Sequence, residues 1–495
     1  MSLSVVFVVN EATMIFFFLC LVISVSLLYF YLNRRHGYLE KLSLPHEKAF
    51  LCFGSPPILW YNYIHHFYFM EAFKRFKSQT FTRYNGSLPT LTTMNPSIIK
   101  QITIKQFNHF HRTMHSEIKD KNLLLTLSDG SLWKLLRKDI TPVFTSGKLK
   151  EMMEPVSDIA NQFVAYIETQ SSEGKSIKIK HKFQGLTLDI INACAYGIKT
   201  NSSEEPDHEL LRHSKMLLND SFIAKNVITS VLILLFNSFP GMFKYVDMFG
   251  KANDELIKIA NSIIETRESH NIEKKDFLNV LVQMRKKSHE DPNALLNDEI
   301  ITAQAIIFFI AGYSTTSTTL CCLTYMLATH PEIQEKLYKE IVSSEDKDFS
   351  EHSYTSAVIK ETLRMYPPVA LHLRVCAKDT EVEGIPIKKG TIIEMPIYAS
   401  HYNPEFFPNP NEFKPERFFQ ENNLEIIPNT YRPFGNGNRS CIAYRFAMME
   451  LQLILEKLVK KFEILPTHET KMVHLKGSMF LLEFEDIGVE FKARA

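Results

Sequence analysis

The sequence predicts a mainly α-helical protein with a small β-rich lobe, preceded by one transmembrane helix. Residues Ala12 to Leu32 form a charge-free apolar run. At the helical rise it spans roughly 30 Å, about the hydrocarbon thickness of a bilayer. Residues Asn297 to Thr329 are apolar around most of the helix circumference but have polar flanks, which indicates a helix in the core of a large protein. The polar runs along the chain are only as long as loops, and the sequence contains no internal repeat. Residues 58–495 are therefore predicted to form one domain.

The apolar run 12–32 is interpreted as a retained membrane anchor, followed by a proline-rich hinge over residues 33–57. No Lys or Arg precedes the run, whereas Arg34 and Arg35 follow it at once. The positive-inside rule then places the rest of the chain on the cytosolic side of the membrane. A cleaved signal peptide is the competing interpretation, but the basic n-region is missing and the apolar run is too long.

The composition excludes several classes of protein. A net charge of +1 gives no indication of nucleic-acid binding, whereas 37 phenylalanines are enough to line a large apolar core or pocket. The cysteines are odd in number and scattered, which argues against a disulfide framework or a zinc site and favours a reduced, cytosol-facing domain. They are Cys20, Cys52, Cys194, Cys321, Cys322, Cys376 and Cys441.

Shorter elements can be placed along the chain. Phe81 to Leu91 is typical of a hairpin around an Asn-Gly turn, and Leu123 to Met152 is predicted to be helical. Val382–Ile387 and Thr391–Met395 alternate like the strands of a small sheet. The prolines of Asn403–Pro415 indicate an irregular segment. The apolar run Val231–Phe236 fits either core-facing helices or an amphipathic lid resting on a membrane, and both interpretations stay open.

A glycine-rich turn leads into a lone cysteine between Phe434 and Ala443, in the sequence FGNGNRSCIA. Apolar residues recur at helical spacing from Ala443 onward, so Cys441 lies at a helix N-terminus, where free N–H groups favour a thiolate. Gly435 and Gly437 allow the backbone to approach a flat ligand, and Arg439 offers a guanidinium suited to a carboxylate. A buried structural cysteine is the alternative for such a residue taken alone.

The spacing F-x-x-G-x-R-x-C-x-A resembles the haem-binding loop of the cytochrome P450 monooxygenases. The resemblance extends over roughly residues 40 to 495 and implies the mainly helical fold of that family. It implies haem b as cofactor, with Cys441 as the axial iron ligand and Phe434 in the loop beside it. The segments Ser128–Trp133 and Phe144–Met152 are most similar to the family-three, drug-oxidising branch.

Other motifs implied by the resemblance surround the cofactor. Trp133 and Arg137, in W-x-x-x-R spacing, resemble the helix that holds a haem propionate, and Arg374 and Arg112 lie where the family binds propionates. The helix signature A-G-x-(Asp/Glu)-T-(Thr/Ser) is matched at Ala311, which implies contact with the cofactor. Its remaining matches are Gly312, Thr315 and Thr316.

This chain departs from that signature at Ser314, where an acid is usual. Gly312 followed by hydroxyl side chains is a common cause of a local helix kink, which would place Thr315 where it can hold water. Thr315 and Ser314 are the candidate catalytic residues. A serine hydroxyl has no useful acidity near neutral pH, so we expect protons to arrive through water alone or from another residue.

Two further groups follow from the resemblance. Glu361 and Arg364 resemble the E-x-x-R element and lie three residues apart on a predicted helix that ends at Pro367. Arg417 belongs to the P-E-R-F element, and it is expected to join them in a buried structural network. The expected wall of the substrate pocket consists of Phe308, Ala370, Leu371, His372 and Phe480.

The implied reaction inserts one atom of O2 into a lipophilic substrate and reduces the other to water, with electrons from NADPH. No nucleotide-binding loop occurs in the sequence, so NADPH is expected to bind a membrane reductase, with cytochrome b5 as a second candidate partner. The implied location is the endoplasmic reticulum membrane, single-pass. Six basic residues near the cysteine form either a reductase-docking surface or ordinary solvated positions: Lys134, Lys138, Arg445, Lys457, Lys460 and Lys461.

Two alternatives stay open. Ser314 is also compatible with a haem-thiolate isomerase or dehydratase of lipid peroxides, which needs no protons from outside, although retention of Thr315 argues against it. The second is a non-catalytic haem or sterol carrier anchored to the membrane. The sequence does not distinguish steroid, fatty acid and foreign compound as substrates.

Overall fold

Helices dominate the computed structural model of the chain. It describes residues 11–33, 37–49, 54–55, 65–111, 125, 128–172, 174–205, 208–210, 212–213, 250–270, 274, 276–291, 294–343, 353–419, 426–474 and 481–494. The α-helices within these ranges are α1 (Glu11–Asn33), α2 (His65–Phe76), α3 (Pro96–Lys100), α4 (Gly130–Ile140), α5 (Ser146–Gln170), α6 (Lys180–Ile191), α7 (Gly250–Ser269), α8 (Phe277–Glu290), α9 (Asp298–Thr329), α10 (Pro331–Ser343), α11 (Ser353–Met365), α12 (Ile397–His401) and α13 (Tyr444–Lys461).

The described strands are short. They are β1 (Thr80–Asn85), β2 (Leu88–Thr93), β3 (Ile177–Lys178), β4 (Leu371–Val375), β5 (Thr380–Val382), β6 (Ile385–Ile387), β7 (Ile392–Pro396), β8 (Phe462–Pro466) and β9 (Gly488–Ala493). One sheet has the order β1-β2-β7-β4, a second has the order β3-β9-β8, and β5 pairs with β6. In the first sheet, β2 and β7 are parallel and the other pairs are antiparallel. The predicted mainly helical fold with a smaller β-rich part is confirmed.

Helix α9 lies at the centre of the largest core cluster. Its predicted bounds are confirmed, and the Asn297 side chain caps its first turn by accepting a hydrogen bond from the N–H of Ile300. Within the described residues it is long and apolar enough to span a membrane by length and composition, but 56% of its most apolar window is buried inside the protein. Burial by α6, α7 and α8 therefore explains its all-round apolar surface.

The N-terminal helix α1 differs from α9 in its surroundings. It runs from Glu11 to Asn33, and its large apolar side chains between Ile15 and Tyr31 are exposed. The stretch Ile15–Tyr31 is apolar but shorter than a full membrane span. The helical conformation predicted for residues 12–32 is therefore present, and the membrane assignment stays a prediction.

Several local predictions are confirmed and others are wrong. The hairpin forms, with Asn85 opposite Leu88 and Gly86 in the left-handed region at φ +62°. Residues Asn403 to Lys414 contain no regular element, as their prolines predicted. The described part of Leu123–Met152 is largely helical, as predicted, but it is divided between α4 and α5 by a 3-10 turn, Thr141–Phe144, which carries Pro142.

The strand prediction for Val382–Ile387 is wrong in detail. Glu383 and Gly384 both have positive φ and reverse the chain, so the stretch contains the end of β5, a two-residue turn and the whole of β6. The second predicted strand is confirmed as β7. The apolar run Val231–Phe236, with its two open interpretations, lies outside the described residues.

Candidate functional site

The cysteine loop, residues Phe434 to Cys441, has a backbone that requires glycine at two positions. Gly435 and Gly437 lie in the left-handed region, at φ +81° and +69°. A Cβ atom on Gly435 would lie 2.9 Å from Cε1 of His372, and one on Gly437 would lie 2.0 Å from the carbonyl oxygen of Thr103. The loop therefore fits against the segment 101–105 and strand β4 only without side chains at these positions.

Cys441 closes the loop and lies three residues before α13. Its N–H donates to the carbonyl oxygen of Phe434 over 2.8 Å, and the aromatic ring of Phe434 packs edge-on against Tyr444 at 4.8 Å. The Cys441 side chain is accessible, yet burial raises the pKa of its thiol.

The charge state expected for Cys441 is only partly supported. A backbone hydrogen bond involving Ala443 and the charge of Arg137 both lower the pKa of the thiol, as expected at a helix N-terminus, but burial outweighs them. A bound metal ion deprotonates a coordinating thiol outright. The free protein therefore does not favour the thiolate by itself, contrary to the sequence-based expectation.

Three guanidinium groups, Arg137, Arg374 and Arg439, surround this position; we call them the arginine cradle. Nη1 of Arg137 donates to the carbonyl oxygen of Ser440 over 3.0 Å, and Nη2 of Arg439 donates to the carbonyl oxygen of Ser128 over 2.6 Å. The guanidinium of Arg439 also lies 4.6 Å from the ring centre of Trp133, a cation–π contact.

The arginine cradle has an excess of positive charge. Burial, together with the charge of Arg439, lowers the pKa of Arg374 to about 9. Burial also lowers the pKa of Arg439 to about 10, with a smaller contribution from Arg137 that Asp129, at 3.6 Å, opposes. The Nε atoms of Arg374 and Arg439 are buried without a hydrogen-bond partner among the described residues. Buried cations with free donors fit an anionic ligand, such as the carboxylates of a haem.

The middle of α9 carries the hydroxyl-rich patch. Ala311 is exposed although α9 is otherwise mostly buried, so it borders an internal space. Oγ1 of Thr315 donates to the carbonyl oxygen of Ala311 over 2.8 Å, and Oγ1 of Thr187 on α6 donates to that of Tyr313 over 2.9 Å. The helix is unbroken through Gly312, so the expected kink stays a prediction.

A buried ionic network, which we call the lock, joins Glu361, Arg364 and Arg417. Nε of Arg364 donates to Glu361 over 2.8 Å, and Nε of Arg417 donates to Glu361 over 3.2 Å. The side chains of Glu361 and Arg364 are 0% exposed. The structure therefore brings together the three residues that the sequence grouped.

The lock reaches the cysteine loop through two residues that the sequence did not single out. His401 hydrogen-bonds through Nδ1 to the carbonyl oxygen of Arg364 over 2.9 Å, and its Nε2 accepts the N–H of Arg432 over 3.0 Å. The carbonyl oxygen of Arg432 accepts the N–H of Gly435 over 3.0 Å. No sequence spacing links position 401 to position 432, so only the fold reveals this connection.

The predicted substrate wall is dispersed. Leu371 is 2% exposed and packs in a core cluster with Phe81 and Phe407, and its assignment to the pocket wall stays a prediction. His372 packs against Gly435, and burial with two neighbouring arginines lowers the pKa of its imidazole to about 3, so it is neutral.

The other wall residues have different surroundings. Ala370 is buried in the main core cluster, and Phe308 stacks on Phe277 with ring centres 3.6 Å apart. Phe480 lies outside the described residues, as does Arg112 of the predicted propionate contacts. These assignments stay predictions.

Glu450 is a buried acid that the sequence analysis missed. It lies on α13, is 2% exposed, and hydrogen-bonds with Thr316 of α9. Burial raises the pKa of its carboxyl to about 8, so the group is mostly protonated at neutral pH. Its position within the apolar stripe of α13 was the available signal, because an acid among core positions is unusual.

The predicted basic surface is divided in the structure. Lys134, Lys138, Arg445 and Lys460 are exposed, whereas Nζ of Lys457 donates to Asn161 over 2.7 Å and Lys461 pairs with Glu168 at 2.7 Å. The exposed residues are therefore the better candidates for contact with a partner.

Comparison with known proteins gives a consistent result. The profile of the family described as Cytochrome P450 matches residues 45–491. The chain is 31% identical to cytochrome P450 3A29 of Sus scrofa over 462 residues and 33% identical to cytochrome P450 3A11 of Mus musculus over 467 residues, each alignment covering 91% of both chains. It is 32% identical to cytochrome P450 3A15 of Cavia porcellus over 94% of both chains.

The fold and these similarities define a haem-dependent monooxygenase, an oxidoreductase. The chain belongs to the cytochrome P450 family. This family uses haem b, with electrons that reach it from NADPH through a reductase, and it implies a redox partner and a lipophilic substrate.

Proposed function

We propose that this chain is a membrane-anchored haem-thiolate monooxygenase in which the thiolate of Cys441 would bind the haem iron and the arginine cradle would bind the haem carboxylates. The observation that carries the proposal is the position of an accessible cysteine beside clustered guanidiniums, two of which have buried Nε atoms without partners among the described residues. Bound haem supplies the activation of O2, and a thiolate ligand favours O–O cleavage.

The remaining roles are assigned to residues of the chain itself. The carbonyl oxygen of Phe434 accepts the N–H of Cys441 and the glycines allow the loop to pack closely, and the lock fixes that loop through His401 and Arg432. Trp133 positions Arg439 by its cation–π contact. Ala311 leaves space at the surface of α9, and the hydroxyls of Thr315 and Ser314 hold water and move protons there.

The proposed location is the endoplasmic reticulum membrane. Helix α1 presents a continuous apolar surface, with side chains such as Phe16, Phe17 and Phe30 more than 60% exposed, and a bilayer would cover this surface. Arg34 and Arg35 after the helix orient the catalytic domain to the cytosol. Electrons would come from an NADPH-dependent reductase, with cytochrome b5 as a further partner, through the exposed surface of Lys134, Lys138 and Arg445.

The proposal is tested by Cys441→Ala, with Cys20→Ala in the exposed helix α1 as the matched control. We expect the reduced, carbon monoxide-treated wild type and the control to show the red-shifted Soret band of a thiolate-bound haem, and Cys441→Ala to lack it. NADPH-driven oxygenation of a lipophilic probe with added reductase should fall at least about a hundredfold in Cys441→Ala, the effect typical of losing an essential catalytic group. Retention of the band or of full turnover in that variant contradicts the assignment.

The same reconstituted system distinguishes the peroxide-rearranging alternative, which Ser314 motivates. A monooxygenase forms product only with NADPH and reductase. An isomerase or dehydratase of lipid peroxides converts a fatty-acid hydroperoxide without either of them. A panel of steroids, fatty acids and aromatic compounds, scored by the spin-state change of the haem, would then define the substrate class.

A further inference from the structure

A hollow lined by polar and apolar groups in nearly equal measure opens beside the two candidate catalytic hydroxyls. It has a volume of about 140 Å³ and lies between the start of α6, the middle of α9 and the segment 481–484. Most of its polar lining is contributed by side chains able to hydrogen-bond with water: Lys180, His181, Gln184, Ser314, Thr315, Thr318 and Glu483. Ser314 and Thr315 are therefore accessible from this hollow.

The size and polarity of the hollow suit a short chain of water molecules. One water occupies ~30 Å³ in the liquid, so the hollow has room for about four or five. Buried water persists where it finds two to four polar partners, and the hydroxyls of Ser314 and Thr315 and the amide of Gln184 provide them at different points of the wall. A continuous hydrogen-bonded path can therefore reach α9 from this side.

Glu483 is the one acid among the described residues that line the hollow. Its segment is held on both sides, because the N–H of Leu482 donates to the carbonyl oxygen of Pro368 over 2.9 Å and Nζ of Lys180 donates to that of Phe484 over 2.7 Å. The Glu483 side chain is half-buried, so it has access both to bulk water and to the hollow.

The proposed oxygenation consumes protons at this place. Its balance is RH + O2 + NADPH + H⁺ → ROH + H2O + NADP⁺, in which the two electrons of NADPH and two protons reduce one oxygen atom to water. A serine hydroxyl can pass a proton along a chain but does not supply one near neutral pH. A carboxylate exchanges protons with bulk water readily, and this chain has Ser314 at the position of α9 where the family usually has an acid.

We propose that Glu483 performs this task from the opposite wall of the hollow, delivering protons through water to Ser314 and Thr315. The inference rests on the proposed monooxygenase function. The segment after residue 480 would thus contribute the proton-donating acid that α9 lacks at position 314.

The test is Glu483→Gln, with Glu485→Gln as the matched control, because Glu485 is a neighbouring exposed acid outside the lining of the hollow. In full-length protein with reductase and NADPH, we expect the product formed per NADPH consumed to fall about tenfold or more in Glu483→Gln, compared with the roughly hundredfold typical of losing a general acid or base outright. Hydrogen peroxide release and the solvent deuterium isotope effect should rise. The control should match the wild type.

Two further arms separate proton delivery from a structural or substrate-binding role. Iodosylbenzene donates an oxygen atom and requires no protons, so oxygenation driven by it should be equal in Glu483→Gln and the wild type. Adding Ser314→Glu to Glu483→Gln should restore the product formed per NADPH.

Unchanged product per NADPH in Glu483→Gln would overturn the proposal, and so would an equal loss in the iodosylbenzene reaction. A wild type without the thiolate band or without NADPH-driven product would instead contradict the proposed function itself, so the two failures are distinguishable.

Discussion

The lock and the arginine cradle both consist of buried arginines close to the same loop, but they differ in how their charge is compensated. In the lock, Arg364 donates to Glu361 and to the carbonyl oxygens of His401 and Glu412, at 2.8 to 3.3 Å. In the cradle, Arg374 and Arg439 have Nε atoms without described partners and lowered pKa values. A buried cation that the chain itself compensates stabilises the fold, whereas one that it leaves uncompensated indicates a ligand.

The largest expected effect comes from breaking the lock. Glu361→Gln would leave Arg364 and Arg417 without their anion, and the free energy of unfolding should fall by roughly 3–5 kcal/mol, as for other broken buried pairs. Denaturant unfolding measures the loss. The control is Glu151→Gln, which removes an exposed pair of the same i, i+3 spacing with Lys148 and should change stability by less than about 1 kcal/mol. Equal effects in the two variants would contradict the distinction between compensated and surface charge.

Glu450 extends the comparison to a buried group that is stabilised by a proton rather than by a partner. Its pKa of about 8 lies above the ordinary value of 4.5, so the folded state binds more protons than the unfolded state between those two pH values. The free energy of unfolding should therefore decrease as pH rises from 4.5 to 8. Glu450→Gln should remove this decrease and be more stable than the wild type at pH 9 by roughly 2–4 kcal/mol.

Unfolding curves at pH 5 and pH 9 test this. The two proteins should be close in stability at pH 5, where the Glu450 carboxyl is protonated. Substitution of an exposed acid, as in Glu151→Gln, should leave the stability equal to that of the wild type at both pH values. A parallel pH dependence of Glu450→Gln and the wild type would show that Glu450 is not the group responsible.

The smallest expected change in stability is in the arginine cradle. Arg439→Leu should leave the haem-free protein as stable as the wild type, because it removes an incompletely compensated cation. It should weaken haem retention about 10- to 100-fold, corresponding to a lost charged hydrogen bond of about 1.5–3 kcal/mol. Transfer of haem to excess apomyoglobin measures retention, and exposed Arg445→Leu is the control. If the haem-free Arg439→Leu protein were destabilised as strongly as Glu361→Gln, Arg439 would have a structural role like that of the lock residues, and the distinction would be wrong.

Local patterns predicted the parts of the site that depend on short spacings. The glycine turn before Cys441 and the Glu361–Arg364 pair each lie within a few residues in the sequence, and the apolar run of α9 is continuous between its polar flanks; each was found. Contacts between distant segments were not predictable in this way.

The link from His401 to Arg432, the hydrogen bond from Thr187 to Tyr313 and the position of Glu483 beside Ser314 all depend on how remote elements pack. The pocket wall is hard to assign for a related reason, because alternation along a strand shows which residues share a face but not which face borders a pocket.

The contact between Gly437 and Thr103 has a consequence for the order of events during biosynthesis. The two residues lie more than 300 positions apart, and the loop can take its final backbone path only after the N-terminal third of the chain has docked against it. Synthesis proceeds from the N-terminus, so the segment around Thr103 is made before the cysteine loop that packs against it. Insertion of the prosthetic group thus becomes one of the last steps in maturation, and protein that has not yet received it should already possess most of its tertiary structure.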